Sequence, residues 1–204
     1  MKFGYTIVYV PDVAAIWAEF CRVTRPGGAI ALTQRDDLWR ERRCNEVLHD
    51  LERDGALSDL DVVRIGIDLC TALEHAHERG VVHRDVKPAN VIVDDNDRVK
   101  VTDFGIARAV GDSTLTATGS VLGTAHYISP EQAGGGEVGP PADIYSLGIV
   151  LYETLTGSLP FTGDSAVAVA MRHMSDEVPP PSDINADVPR ELDDVVAKAT
   201  AKEP

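Results

Sequence analysis

His83-Arg84-Asp85-Val86-Lys87-Pro88-Ala89-Asn90, followed thirteen residues after Asn90 by Asp103-Phe104-Gly105, decides how the rest of the 204-residue chain is read. The stretch sets a carboxylate (Asp85), a cation two residues on (Lys87) and a side-chain amide (Asn90) close together. Val91 to Val93 and Arg98 to Thr102 read as short β segments, and Asp94-Asp95-Asn96-Asp97 between them is turn chemistry. A hairpin of that kind returns the chain to its start, so a second carboxylate, Asp103, is expected beside Asn90. A lone Asp or Asn is usually a turn residue. Eight joint positions and then D-F-G after a hairpin are a specific signal.

The chemistry this set suits is phosphoryl transfer, which needs an aligned hydroxyl, a nearby base and cations on the moving phosphate. Asp85 is suited to orient the attacking hydroxyl and accept its proton, and Lys87 to reach the phosphate. Asn90 and Asp103 offer hard oxygen ligands of the kind Mg²⁺ takes.

Bulk properties narrow the class. With 44% apolar residues the chain reads as globular. Its 33 acidic against 19 basic residues give a net charge of −14, which repels a phosphate backbone and excludes nucleic acid as an expected partner. Cys21, Cys44 and Cys70 are odd in number and lack metal-type spacing, as reduced cytoplasmic thiols would. The most apolar long run, Ile144 to Phe161, carries Glu153 and several hydroxyls, so no membrane segment is expected. Lys2 with Phe3 to Val10 imitates a secretion leader, but Pro11-Asp12 cuts it short and a buried strand is the expected reading.

Along the chain, Phe3 to Val10, Val13 to Val23 and Ala29 to Thr33 read as strand, helix and strand, with Arg25-Pro26-Gly27-Gly28 as a turn. Trp39 to Arg53 reads as a charged helix. Ser58-Asp59-Leu60-Asp61 is a capping-box-like start to a long helix ending at Gly80. Val62, Gly66, Leu69, Leu73 and Ala76 share one face of it, and Val63, Ile67 and Cys70 widen the stripe, so it should be largely buried. Val81-Val82 reads as another short β segment. Pro140 to Gly157 is a second apolar helix. Ser165 to Met174 and Glu191 to Thr200 are amphipathic, with a proline-rich loop, Val178 to Pro189, between them. Gly134 to Gly139 matches G-x-G-x-x-G but follows Ser129-Pro130-Glu131 and precedes Pro140-Pro141, so it is a flexible connector rather than a nucleotide loop. His75 and His77, two apart on a helix, point apart; they are expected to be surface or partly buried fillers.

From about Leu48 onward the chain resembles the C-terminal lobe of bacterial serine/threonine protein kinases. Beside the opening motifs, Gly123-Thr124-Ala125-His126-Tyr127-Ile128-Ser129-Pro130-Glu131, Asp143-Ile144-Tyr145-Ser146-Leu147-Gly148 and Leu159-Pro160-Phe161 carry the likeness. It implies an α+β fold: a mainly helical lobe with small β-hairpins. It implies transfer of the ATP γ-phosphate to Ser/Thr hydroxyls of protein substrates, with Mg²⁺. Asp85, Lys87 and Thr124 are then catalytic, Lys87, Asn90 and Asp103 hold the nucleotide, and Asn90 and Asp103 ligate the metal. Thr116 and Thr118 match activation-loop phosphorylation sites, whose phosphate could pair with Arg84. His83 should stack on Phe104 next to Gly105, and Asp143 should cap the His83–Asp85 turn. Glu131 matches a glutamate whose arginine partner lies a few residues past Pro204, so it is expected here as a buried, unpaired carboxylate. Self-association stays open, as does membrane anchoring of a longer parent.

Residues 1–43 are expected to form a separate strand–helix–strand extension in place of the N-lobe, and 44–204 the kinase lobe, truncated before its last helix. The extension resembles the late part of class I S-adenosylmethionine-dependent methyltransferases, without their glycine-rich loop. Lys2 is the only lysine before Lys87, and no glycine-rich hairpin precedes the lobe. The isolated chain is therefore expected to be inactive or weak. Two alternatives remain: a non-catalytic kinase-like module docking partners around Ser165 to Met174, and a chimeric gene fragment with a methyltransferase remnant.

Overall fold

Ser58 opens the first helix. Its Oγ accepts a hydrogen bond from Asp61 N at 3.2 Å, and Asp59 and Asp61 lie in the first turn, where a helix favours negative charge. In the computed structural model, which describes residues 45–46, 55–93, 99–104 and 123–202, this helix is α1, Asp59–His77. It ends at Glu78, and the chain turns away at Gly80 with φ of 70°, a conformation glycine adopts without a Cβ penalty. The turn leads to a 3₁₀ turn at Pro88–Asn90 and the hairpin strands β2 (Val91–Val93) and β3 (Val99–Val101). With β1 (Asn45–Glu46) they make a three-stranded antiparallel sheet in the order β1-β2-β3. Asn45 pairs with Val93, and Val91 with Val101.

Among the described residues, a short helical stretch at 123–125 is followed by α2 (Pro130–Gly134), α3 (Pro140–Thr156), α4 (Ala166–Ser175), α5 (Pro181–Ile184) and α6 (Arg190–Ala199). The central element is α3, buried around nearly all of its circumference. It has α1 on one side and α6 on the other. Val62, Leu69 and Leu73 of α1, Leu147, Val150 and Leu151 of α3, and Leu192, Val195 and Val196 of α6 share one core. Gly148 lets α6 lie directly on α3, and the αL conformation of Gly157 (φ 69°) closes α3 against the backbone of Ala56. The α+β class expected from the sequence is the one observed.

Several local expectations differ. Asn45–Glu46, inside the predicted helix Trp39 to Arg53, is strand, because its backbone completes the open edge of β2; helix propensity yields to such a tertiary partner. Val81-Val82 forms no ladder. The proline-rich loop contains α5, where Pro181 occupies the first helical position it tolerates. The unforeseen α2 is set by Ser129 and Gln132, whose side chains and backbone N–H groups satisfy one another as a capping box. The expected extension at 1–43, the turn Asp94 to Asp97, Gly105, Thr116 and Thr118 lie outside the described residues. No described helix is long and apolar enough to cross a membrane.

Candidate active site

The site is built on one buried carboxylate. Asp143, in the first turn of α3, is fully buried and accepts three hydrogen bonds. His83 N donates to its Oδ2 and Arg84 N to its Oδ1, each at 2.7 Å, and His77 Nε2 lies 2.6 Å from Oδ2. A carboxylate offers only acceptors, so the His77 Nε2 carries the proton in that bond. Both side chains are sealed from solvent. His77 was expected to be a filler; instead it is a buried partner of the site's anchor. Its 66-residue separation from Asp143 hides that pairing from any local reading.

The turn held by Asp143 is strained. Arg84 has φ of 66°, the left-handed region that non-glycine residues rarely occupy, and such strain persists only where the surroundings over-determine it. The strained turn presents Asp85 with its side chain partly open to solvent. Lys87 Nζ donates to Asp85 Oδ2 at 2.8 Å and to Thr124 Oγ1 at 3.4 Å. Asn90 Nδ2 donates to the Asp85 backbone carbonyl at 2.8 Å and to Oδ2 at 3.3 Å. Asp85 and Lys87 side chains are about a quarter exposed, at 26% and 22%, so a substrate can reach them. Thr124 is kept near by α3: Ser146 Oγ donates to the Tyr127 carbonyl at 2.7 Å, and Tyr127 N to the Thr124 carbonyl at 3.3 Å.

The hairpin closes the set. Thr102 N donates to the Asn90 carbonyl at 2.9 Å, so the next residue, Asp103, lies beside Asn90. Asp103 has φ of 55° and is exposed. His83 ties the two halves: its Nε2 donates to the Thr102 carbonyl at 2.9 Å, its Nδ1 accepts from Asp85 N at 3.2 Å, and its ring meets Phe104 with centroids 4.5 Å apart.

A magnesium ion fits this arrangement. Asn90 spends its N–H₂ on Asp85, which leaves its side-chain oxygen for a cation, and Asp103, one residue past the Asn90–Thr102 pairing, brings a second oxygen donor to the same end of the hairpin. No group of three or more His, Cys, Asp or Glu suited to a metal occurs among the described residues. Mg²⁺ does not need one, because it keeps waters and shares phosphate oxygens.

Neighbouring groups are structural. Tyr127 O–H donates to Glu153 at 2.6 Å. Burial pushes the Glu153 carboxyl above its usual range, and burial followed by the nearby Glu153 charge raises Tyr127. Glu131, expected to be buried, is half-buried in the first turn of α2, where partial solvent access relieves much of the cost foreseen for it.

Residues 37–204 match the protein kinase domain family. The chain belongs to that family. It is 53% identical over 153 residues to the serine/threonine-protein kinase PknB of Mycolicibacterium smegmatis, covering 74% of this chain and 24% of that one. It is 47% identical over 150 residues to the serine/threonine-protein kinase PrkC of Bacillus subtilis, covering 74% and 23%. To the probable PknB kinase of Lactococcus lactis it is 44% identical over 153 residues, covering 75% and 24%. The chain thus spans about a quarter of the length of these relatives. For a kinase domain, the residues missed from sequence are His77 and Gln132. Gln132 donates from Nε2 to the Arg84 carbonyl at 2.9 Å. The S-P-x-Q pattern at 129–132 was the local signal for its helix start, but not for that contact.

Proposed function

We propose that this chain carries the phosphoryl-transfer half of a protein serine/threonine kinase, moving the ATP γ-phosphate to Ser or Thr hydroxyls of proteins in the cytoplasm. The acceptor oxygen attacks the γ-phosphorus, the bond to the β-phosphate oxygen breaks, and ADP leaves. Asp85 orients the acceptor hydroxyl and takes its proton. Lys87, held between Asp85 and Thr124, lies ready to meet the charge developing on the phosphate, and Thr124 shapes the acceptor side. Asn90 and Asp103 would hold Mg²⁺, which supplies charge neutralisation on the phosphates. The observation that carries the reading is the bonding of one carboxylate, Asp85, by Lys87 and Asn90 together.

The domain division belongs to the same proposal: a lobe over 44–204 and a distinct extension over 1–43. So does slow turnover by the 204-residue chain alone. With no lysine between Lys2 and Lys87 to hold the α- and β-phosphates, a rate at least about 10²-fold below a kinase that carries such a lysine is expected. Phosphate transfer from labelled ATP to a Ser/Thr-containing peptide, compared between this chain and its Asp85→Asn variant, tests the reading. Weak turnover abolished by Asp85→Asn supports it; equal turnover in both refutes it. Rapid Asp85-dependent turnover keeps the chemistry and removes the proposed dependence on a phosphate grip.

A second reading, a non-catalytic module, draws on Val167, Met171 and Met174. They are exposed at i, i+4 and i+7 on one face of α4. Titration with magnesium-ATP separates the two: saturable binding that depends on Asp103 favours the kinase.

A further inference from the structure

Gln132 spends its side-chain amide on two different tasks. Its Oε1 accepts from Ser129 N at 3.1 Å and so completes the cap of α2, while its Nε2 donates to the Arg84 carbonyl at 2.9 Å. The second bond has no role in the helix. It crosses 48 residues to the peptide immediately before Asp85.

We infer that Gln132 is a positioning residue for Asp85: it fixes the Arg84–Asp85 peptide plane and links the start of α2 to the catalytic carboxylate. Rotation of this peptide, about Arg84 ψ and Asp85 φ, would swing Asp85 beside the strained Arg84 (φ 66°) unless both its polar atoms are held. They are. Gln132 binds the carbonyl end, and His83 Nδ1 accepts from Asp85 N at 3.2 Å at the other. Asp143 fixes the amides of His83 and Arg84, both of which precede this peptide, so it does not set the orientation of the Arg84–Asp85 peptide. Gln132 therefore holds the carbonyl end of this peptide from another element of the fold. It also lies three residues past Ser129, where the Thr124 to Ser129 segment enters α2. Displacement of that segment would reach the Asp85 backbone through this amide, as it reaches the Asp85 side chain through Lys87.

The inference rests on reading Asp85 as the base, and its test separates the two. Gln132→Glu keeps an oxygen for the Ser129 cap, since glutamate is a normal capping-box residue, but turns the donor facing the Arg84 carbonyl into an acceptor. Amide hydrogen exchange on the 204-residue chain, with kcat and KM for ATP on a Ser/Thr peptide, reads the effect. The expected result is roughly three- to tenfold faster exchange at Asp85 N. The Ala133 amide, bonded to the Ser129 carbonyl at 3.0 Å, should be unchanged. In parallel, kcat should fall by a similar factor with KM constant. Gln132→Leu, which also removes the Ser129 N bond of the cap, should speed exchange at both places. Unchanged exchange at Asp85 in Gln132→Glu overturns the inference, as does unchanged kcat where turnover depends on Asp85. If Asp85→Asn matches the unsubstituted chain, it is the phosphoryl-transfer reading that fails, and exchange at Asp85 still decides whether Gln132 holds the peptide.

Discussion

Replacing Asp143 by Asn probes the foundation of the site. The side chain keeps its shape, and Arg84 N can still find an oxygen. The other oxygen becomes an N–H₂ facing two donors, His83 N at 2.7 Å and His77 Nε2 at 2.6 Å. His77 can answer by moving its proton to Nδ1, which has no hydrogen-bond partner among the described residues, and accepting through Nε2. His83 N has no such option and is left buried against another donor. An orphaned buried donor costs about 1–3 kcal/mol, and two charge-assisted bonds become neutral ones as well. Together these losses come to about 3–5 kcal/mol. That is a large part of the roughly 5–15 kcal/mol stability of an ordinary domain. Urea unfolding followed by circular dichroism should move its midpoint down by about 2 M, given slopes of about 1–3 kcal/mol per molar. His77→Phe should cost less, because it removes one donor and leaves two. The double variant should fall short of the sum, since the two changes share a bond. A loss under about 1 kcal/mol for Asp143→Asn would refute the reasoning, because no buried donor could then have been stranded.

Three further outcomes follow from the packing and the charges. A Cβ at Gly148 would lie 2.6 Å from Thr200 Cγ2 and 2.8 Å from Ala199 Cβ, so Gly148→Ala should force α6 off α3 and cost about 1–3 kcal/mol in urea unfolding. Tyr127→Phe removes the donor to a half-buried carboxylate; it should cost about 1 kcal/mol and move the Glu153 titration, followed by carboxyl NMR, further upward. His173 is held down to about 4 from 6.5, by burial first and the Lys202 charge second. Between those values the unfolded chain takes up a proton that the folded chain refuses. Stability should therefore fall as pH drops from 6.5 towards 4, by up to about 3 kcal/mol, and unfolding midpoints compared at pH 7 and pH 5 should show it. Glu153 opposes this trend just above its ordinary range, since its raised carboxyl favours the folded state at lower pH.

The sequence made the candidate site legible because its chemistry is local. Asp85, Lys87 and Asn90 fall within six residues, and the hairpin that returns Asp103 has its own turn signal. The helices announced themselves through Ser58, Ser165, Gly157 and apolar periodicity. What stayed hidden was the support. His77 to Asp143 spans 66 residues and Gln132 to Arg84 spans 48, and a hydrogen bond between distant segments leaves no periodic trace. His77 was misread because its spacing from His75 excludes a metal pair on one helix but says nothing about a partner on another. Asn45–Glu46 was misread as helix because its charge and propensity are local, whereas the strand edge that captures it is not.

The central claim is that Asn90 and Asp103 share one divalent cation beside Asp85. Paramagnetic Mn²⁺, added with ADP to the isotopically labelled chain in place of Mg²⁺, tests it without turnover. Selective broadening of the Asn90 side-chain amide and of the Asp103 and Asp85 carboxyl signals, abolished by Asp103→Asn and absent at His173, is the expected result. Broadening spread over the acidic surface, or unchanged by Asp103→Asn, would contradict a shared cation at this site.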